Sequence, residues 1–287
     1  MATMKPSRRE TIPPVAGIAV ALAFWFAVPH ALGADRPDPL NDTWQISLGT
    51  YAVNPDTEVR LDGRAEERGT TIDWEKNFGG GSLTRFRVDA QWRFAERHRL
   101  QAMWFDSSRS KTTTFDEEVE WGGETYPVDA EVKGTLDYDL YLLAYEYSFL
   151  RRDTYEVAAT LGAYYAHWTA TLDAQVSDPS GGSQDIRQKS SADLATPLPV
   201  LGLRGTWVLP YNLSLDAFGQ WFYLSAGQFS GNLQDYQAKL TWQPKSWLGL
   251  GIGYDWFSAH GDVDRSDFRG SLDWSFGGLM LFYDVLF

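Results

Sequence analysis

Between Arg85 and Phe94 the side chains alternate without a break. Phe86, Val88, Ala90, Trp92 and Phe94 share one face; Arg85, Arg87, Asp89, Gln91 and Arg93 share the other. Side chains of a strand point to opposite faces with period two, so this stretch predicts a strand with one apolar and one charged surface. A soluble sandwich would bury the apolar face and leave the charged one in water. A membrane barrel reverses the arrangement, with lipid on the apolar side and every backbone group paired around a closed ring. Past the amino-terminal segment no apolar run approaches the roughly 20 residues that a spanning helix needs. The chain nevertheless holds 13 Trp, 14 Tyr and 16 Phe at a mean hydropathy of -0.34, as expected where strands are only half apolar.

Alternation recurs along the whole chain. The first strand runs over Thr43 to Ala52, the second over Arg85 to Phe94, and the third carries Leu100, Ala102 and Trp104 outward. The fourth, about Thr135 to Phe149, turns Tyr141, Leu143, Tyr145, Tyr147 and Phe149 to lipid, while its upper part with Tyr138 and Leu140 has ambiguous parity. The fifth turns out Tyr155 to Tyr165, the sixth Leu201, Leu203 and Trp207, the seventh Leu213, Leu215 and Trp221. The eighth adds Tyr236, Leu240 and Trp242, and the ninth Leu250, Ile252, Tyr254 and Trp256. Spacings of eight to ten residues between terminal apolar positions, at about 3.3 Å per residue and a tilt near 45°, span roughly 19–23 Å, close to a ~25 Å apolar band. Connections near 95–98, 150–153, 209–212 and 243–247 are short; those at 53–82, 106–134 and 173–195 are long. Residues 57–76 fit either a hairpin extending the first two strands above the membrane, which gives ten strands, or two further strands, which gives twelve.

The closing stretch, 266–287, places Leu279, Leu281, Tyr283, Val285 and Phe287 at every second position. Upstream, Leu272, Trp274 and Phe276 alternate on the opposite parity, which predicts a bulge at Gly277-Gly278 that flips the strand's faces. With this ending, the chain resembles the bacterial outer-membrane β-barrel proteins. The resemblance implies a closed antiparallel up-and-down transmembrane barrel. It also makes Leu281, Tyr283, Val285 and Phe287 the signal read by the barrel assembly machinery, after escort by periplasmic chaperones. Short turns at one end and long loops at the other then imply that both chain ends are periplasmic.

Lys5, Arg8 and Arg9 precede an apolar run from Val15 to Val28, and small residues follow at Ala31 and Gly33, the pattern of a secretory signal peptide. The expected division is therefore a signal peptide over 1–33 and a barrel over 34–287. With no cysteine, disulfides and thiolate metal sites are excluded, which suits passage through an oxidising periplasm. The whole chain carries a formal charge of -13, which argues against nucleic acid as a partner. The long loops hold nineteen acids against nine bases, facing the lipid and lipopolysaccharide expected around an outer-membrane barrel.

Parity places Arg85, Arg87, Asp89, Arg93, Glu146, Glu156, Arg204, Asp216, Lys239, Asp255 and Asp273 in the lumen, with Arg269, Asp235 and Asp284. This nearly balanced set predicts interlocked pairs and a filled interior, since a selective pore tends to carry an excess of one sign. Three glycines, Gly249, Gly251 and Gly253, mimic a nucleotide loop, but they alternate inside a strand with no helix following and read as space-makers. His98 falls in a short turn; His167 and His260 fall near the external strand ends beside acidic residues. No serine or paired-acid motif accompanies them, and Asp262, Asp264 and Asp267 fail a calcium-loop pattern because Asp267 stands where glycine is required. The expectation is a monomeric, non-enzymatic barrel with no cofactor or metal. A small diffusion channel and a rim enzyme working through His167 or His260 are the alternatives.

Overall fold

The first and last strands of the sheet zip together, from Gln45 opposite Leu286 to Leu61 opposite Gly270, and that pairing closes the barrel. The computed structural model describes residues 38–63, 67–177, 185–264 and 269–287; the expected signal peptide over 1–33 lies outside them. The elements are β1 (Trp44–Leu61), β2 (Thr71–Asp73), α1 (Trp74–Phe78), β3 (Leu83–Ala95), β4 (His98–Thr114), β5 (Val119–Trp121), β6 (Glu124–Tyr126) and β7 (Glu131–Arg151). They continue with β8 (Tyr155–Ser177), β9 (Asp185–Leu209), β10 (Leu213–Ala226), β11 (Phe229–Lys245), β12 (Leu248–Asp264) and β13 (Arg269–Leu286). Ten of these form the wall, in the antiparallel order β1-β3-β4-β7-β8-β9-β10-β11-β12-β13. Residues 57–76 add no membrane strand: β1 runs on to Leu61 and β2 folds back along Glu58 to Arg60.

Two aromatic girdles mark the lipid-facing band. At the end that carries Phe287 and the tight turns, Trp44 stacks on Trp92 with ring centroids 5.3 Å apart and lies 6.4 Å from Phe287. At the loop end, Trp221, Tyr236 and Trp256 follow one another at 5.9 and 5.7 Å, and Tyr141 meets Tyr165 at 6.4 Å. Between the girdles the outer surface is aliphatic: Leu143, Leu161, Leu201, Ile252, Leu279 and Leu281 are exposed. About 9–11 residues cross such a band. The strands β7, β8 and β9 have 21, 23 and 25 residues, so they rise well past it at the loop end.

Above the loop-end girdle the wall reverses its chemistry without changing parity. On β7, Tyr141 to Phe149 face lipid while Glu146 and Ser148 face inward; farther up, Asp137 and Asp139 face out while Leu136, Tyr138 and Leu140 are buried. On β8, Trp168, Ala170 and Leu172 turn inward where Glu156 and Thr160 do so lower down. The same inversion corrects the expected bulge in the last strand. Pairing of β13 with both β1 and β12 runs unbroken through Gly277 and Gly278, so Trp274 and Phe276 point into the barrel and are buried. What looks like a flip of faces is the strand leaving lipid for water. Gly278 serves close approach instead, since a Cβ there would strike the Ala52 carbonyl of β1.

Those inward aromatics form a plug. Trp274 packs on Trp168 at 4.4 Å, Tyr138 at 4.7 Å and Phe257 at 4.8 Å, and Phe257 stacks on Phe276 at 5.0 Å. Over the plug, α1 buries Trp74 and Phe78, joined by Phe115, Trp121 and Tyr126 of the β4–β7 connection in one core. The helix starts on Asp73, whose carboxylate accepts from the Lys76 amide at 2.8 Å. Its Glu75 is held by Arg109 and by the Thr57 amide at 2.7 Å. Replacing Trp274 with Ala should cost about 3–5 kcal/mol, the range for emptying a buried aromatic site. The shift of the gel heat-modification midpoint reads this; an effect no larger than that of Leu281→Ala on the lipid face would refute the inward register.

Candidate functional site

Below the plug, at the depth of the lipid band, the lumen is filled by ion pairs. Inward positions on neighbouring strands face one another across a narrow interior, so oppositely charged side chains at these positions meet. Arg87 forks onto Asp89, two residues along the same face of β3, at 3.0 and 3.1 Å, and reaches across to Asp255 of β12. Gln237 donates to Asp255 at 3.1 Å. A second chain of contacts runs around the wall. Glu156 receives Arg93 at 3.1 Å, Arg99 at 2.8 Å and Arg151 at 3.6 Å. Arg99 also holds Glu146 at 3.1 Å, and Glu146 holds Arg204 at 3.0 Å. Arg204 then binds Asp216 at 2.9 Å and lies 5.3 Å over the Phe218 ring. Six strands, β3, β4 and β7 to β10, are tied by this chain. Asp284 joins β13 to β1 through Ser47 and Gln45, and Tyr164 donates to Asp235 across the barrel.

Most of the expected lumen residues thus meet, and the exceptions are informative. Arg85 faces inward above the network and donates to the Ser107 hydroxyl at 2.7 Å and the Ser108 carbonyl at 3.2 Å, rather than to a carboxylate. Lys239 is buried with its ammonium 5.5 Å over Phe282, beside a small polar cavity that Asp216 and Asp284 also line. Asp273 is not in the lumen. Because β13 does not flip, Asp273 faces out above the lipid band, and Arg269 pairs with Asp264 at the rim. Arg99 was missed, although its alternation with outward Leu100 and Ala102 places it inside. The inward glycines do make room: a Cβ at Gly251 would occupy the place of the Phe282 ring.

The terminal mouth is closed by the segment before β1. Leu40 is buried there, and Arg151 donates to its carbonyl at 2.9 Å and to Asn41. Burial pushes the adjacent Asp42 carboxyl up to about 7, helped by Asp38 and Asp284 and opposed by Arg93. At the loop end, His167 lies 3.3 Å from Asp193, and His260 sits between Asp273 and Asp262 at 2.5 and 2.8 Å. Both histidines face outward on the wall above the girdle, away from the lumen. The two carboxylates outweigh partial burial and hold the His260 imidazolium above its usual range. Among the described residues, no group of three or more His, Cys, Asp and Glu gathers as metal ligands.

No protein-family model matches the sequence, and no curated protein does. Solved structures match in shape. The outer membrane protease OmpT from Escherichia coli aligns with a TM-score of 0.57 at 11% identity, over 87% of this chain and 98% of that one. The fold is that of a bacterial outer-membrane β-barrel. A Pseudomonas aeruginosa FadL homologue aligns more loosely, with a TM-score of 0.37 at 8% identity over 87% of this chain and 92% of its own. The Yersinia pestis attachment invasion locus protein Ail does so at 0.32 and 14%, over 85% and 97%.

Two measurements check this interior. Glu146→Leu removes one of the two buried carboxylates that hold each of Arg99 and Arg204, and should lower stability by about 3 kcal/mol, the low end of the range for breaking a buried pair; a neutral result would mean that the network adds nothing. For Asp42 the folded pKa lies above the unfolded one, so the cap is most stable in acid and weakens as the pH rises from about 4 to about 7. Asp42→Asn should therefore raise the heat-modification midpoint at pH 8 and leave it unchanged at pH 4. An equal gain at both values would remove the titration as its cause.

Proposed function

We propose that this chain is a sealed, non-enzymatic integral outer-membrane protein whose tall outer wall is its working surface. One observation carries the reading: the lumen is filled at successive depths, by the Leu40 cap, the ion-pair network, the aromatic plug and the α1 cap. Barrels of about eight strands hold little beyond their own side chains, whereas open channels belong to about sixteen or more. Ten strands with buried Arg87, Arg204, Glu146 and Asp255 sit at the filled end. In this reading the tight turns and both ends of the folded barrel face the periplasm, and β7 to β9 rise into the lipopolysaccharide layer. The barrel works as a monomer, surrounded by lipid, after delivery by periplasmic chaperones and the assembly machinery.

The histidines support the same reading. Both ring nitrogens of His260 are engaged by carboxylates, which leaves none free to take a proton from a substrate. His167 shares Asp193 with Thr169, whose hydroxyl donates to that carboxylate and not to the imidazole. The likeness to a protease at 11% identity speaks for the fold and not for its chemistry.

In planar bilayers the wild type should show little or no conductance, while Arg85, Arg87 and Arg93 replaced together by Ser should weaken the fold and open a cation-preferring leak. Stable porin-sized channels in the wild type would overturn the sealed reading. His167→Ala and His260→Ala should leave lipid A profiles and a peptide-cleavage screen unchanged; histidine-dependent product would overturn the non-enzymatic one.

A further inference from the structure

Gly249, Gly251 and Gly253 alternate on the inward face of β12, at the depth of the ion pairs. Here β12 puts no side chain into the lumen, and its neighbours lean across it. A Cβ at Gly253 would lie 3.1 Å from the Lys239 side chain of β11. One at Gly249 would lie 2.8 Å from Thr241 of β11 and 3.1 Å from Asp284 of β13. Side chains of β11 and β13 thus converge across a strand that separates them in the sheet.

Lys239 occupies the break in the charged ring. On one side, Asp216 ends the chain of contacts that starts at Arg93. On the other, Asp284 ties β13 to β1. Asp216 stands opposite Lys239 in the β10–β11 ladder. Yet among the described residues the ammonium has no carboxylate within ion-pair reach, although Lys239 is only 3% exposed. The Phe282 ring 5.5 Å away attracts the charge but accepts none of its three N–H groups in line. The nearby carboxylates are already engaged and still have lone pairs to spare. Asp216 accepts from Arg204 at 2.9 Å and from Thr206 at 2.7 Å, and Asp284 accepts from Gln45 at 2.9 Å and from Ser47.

Between these groups lies the cavity of about 20 Å³, lined by Lys239, Asp216, Asp284, Ser214 and Thr241, with Pro39 of the cap in its wall. A water needs about 10–15 Å³ of such room and two to four polar partners. We propose that this cavity binds one water, which accepts a hydrogen bond from Lys239 and donates to Asp216 and Asp284. Its size admits little more than a single water. Charge then selects water over an ion: the lining sets Arg99 and Lys239 against Asp216 and Asp284, so an ion of either sign would be buried uncompensated. A bridging water is nearly as favourable as a direct hydrogen bond. It would close the ring, carrying it from β10 through β11 to β13 and past the glycine strand. The proposal needs the inward register but not a sealed lumen, so conductance and the water site fail separately.

Crystals of the full chain that diffract well enough to show ordered water test it. One peak is expected within hydrogen-bond reach of Lys239 Nζ and of both carboxylates, and it should be lost in Lys239→Met. A direct contact of Lys239 with Asp216 or Asp284, with no peak between them, overturns the site. Soaking in bromide separates water from an anion: no anomalous signal is expected, and bromide at the peak overturns the water. Where the variant does not fold, the wild-type map decides alone. In solution, Lys239→Met and Asp284→Ala form a double-mutant cycle, with the folded-to-unfolded ratio read from heat modification. The double variant should differ about tenfold from the product of the single effects, and agreement within about twofold overturns the bridge.

Discussion

A strand cannot change which face its side chains occupy without a bulge, yet the medium outside this wall changes from lipid to water partway along each strand. Everything above the loop-end girdle follows from that constraint. Within lipid the outer positions must be apolar, so the inner ones are left to polar side chains. Above lipid the outer positions must be polar, and burial of apolar surface can only occur inside. Thus β7 carries Glu146 and Tyr138 on the same inward face, one in each regime. The molecule is a membrane barrel below and a water-soluble β-core above, sharing one continuous set of strands.

The two regimes stabilise their interiors differently. The upper core gains from area removed from water and from aromatic contacts such as Trp168 on Trp274. The lower lumen gains less per group, since desolvating charges offsets much of their attraction. Its pairs instead fix register: Glu146 takes two guanidiniums and Glu156 three, each from a different strand. A slip of one residue in any of those strands would turn a charge out into lipid.

The outward faces were legible because lipid demands apolar residues at every second position, and from Trp44 to Phe287 they were read correctly wherever the strand lay in lipid. The error at Asp273, Arg269 and the glycine pair arose above the band, where the same rule inverts and two parities look alike in a one-dimensional pattern. Tyr138 and Leu140 carried the needed signal, an apolar inward set directly above an apolar outward set. The pairing partners of Glu146 and Glu156 were less legible, because which charges meet across a lumen depends on shear and tilt. The β9–β10 ladder stops at Leu201 opposite Trp221, just short of Pro199 and Pro197, which lack an N–H, but only a known register tells which neighbour those nitrogens face.

The cap around Leu40 sets an order on assembly. Its grip comes from Arg151, on a strand far along the chain, and its socket is bounded by residues of β1, β10, β11 and β13. That socket exists only after β13 has met β1, a contact between segments about 240 residues apart, the costliest loop to close in the molecule. The segment that precedes the first strand therefore finds its place only after the barrel has closed. It works as a latch, and until it seats, the terminal mouth stands open on the charges within.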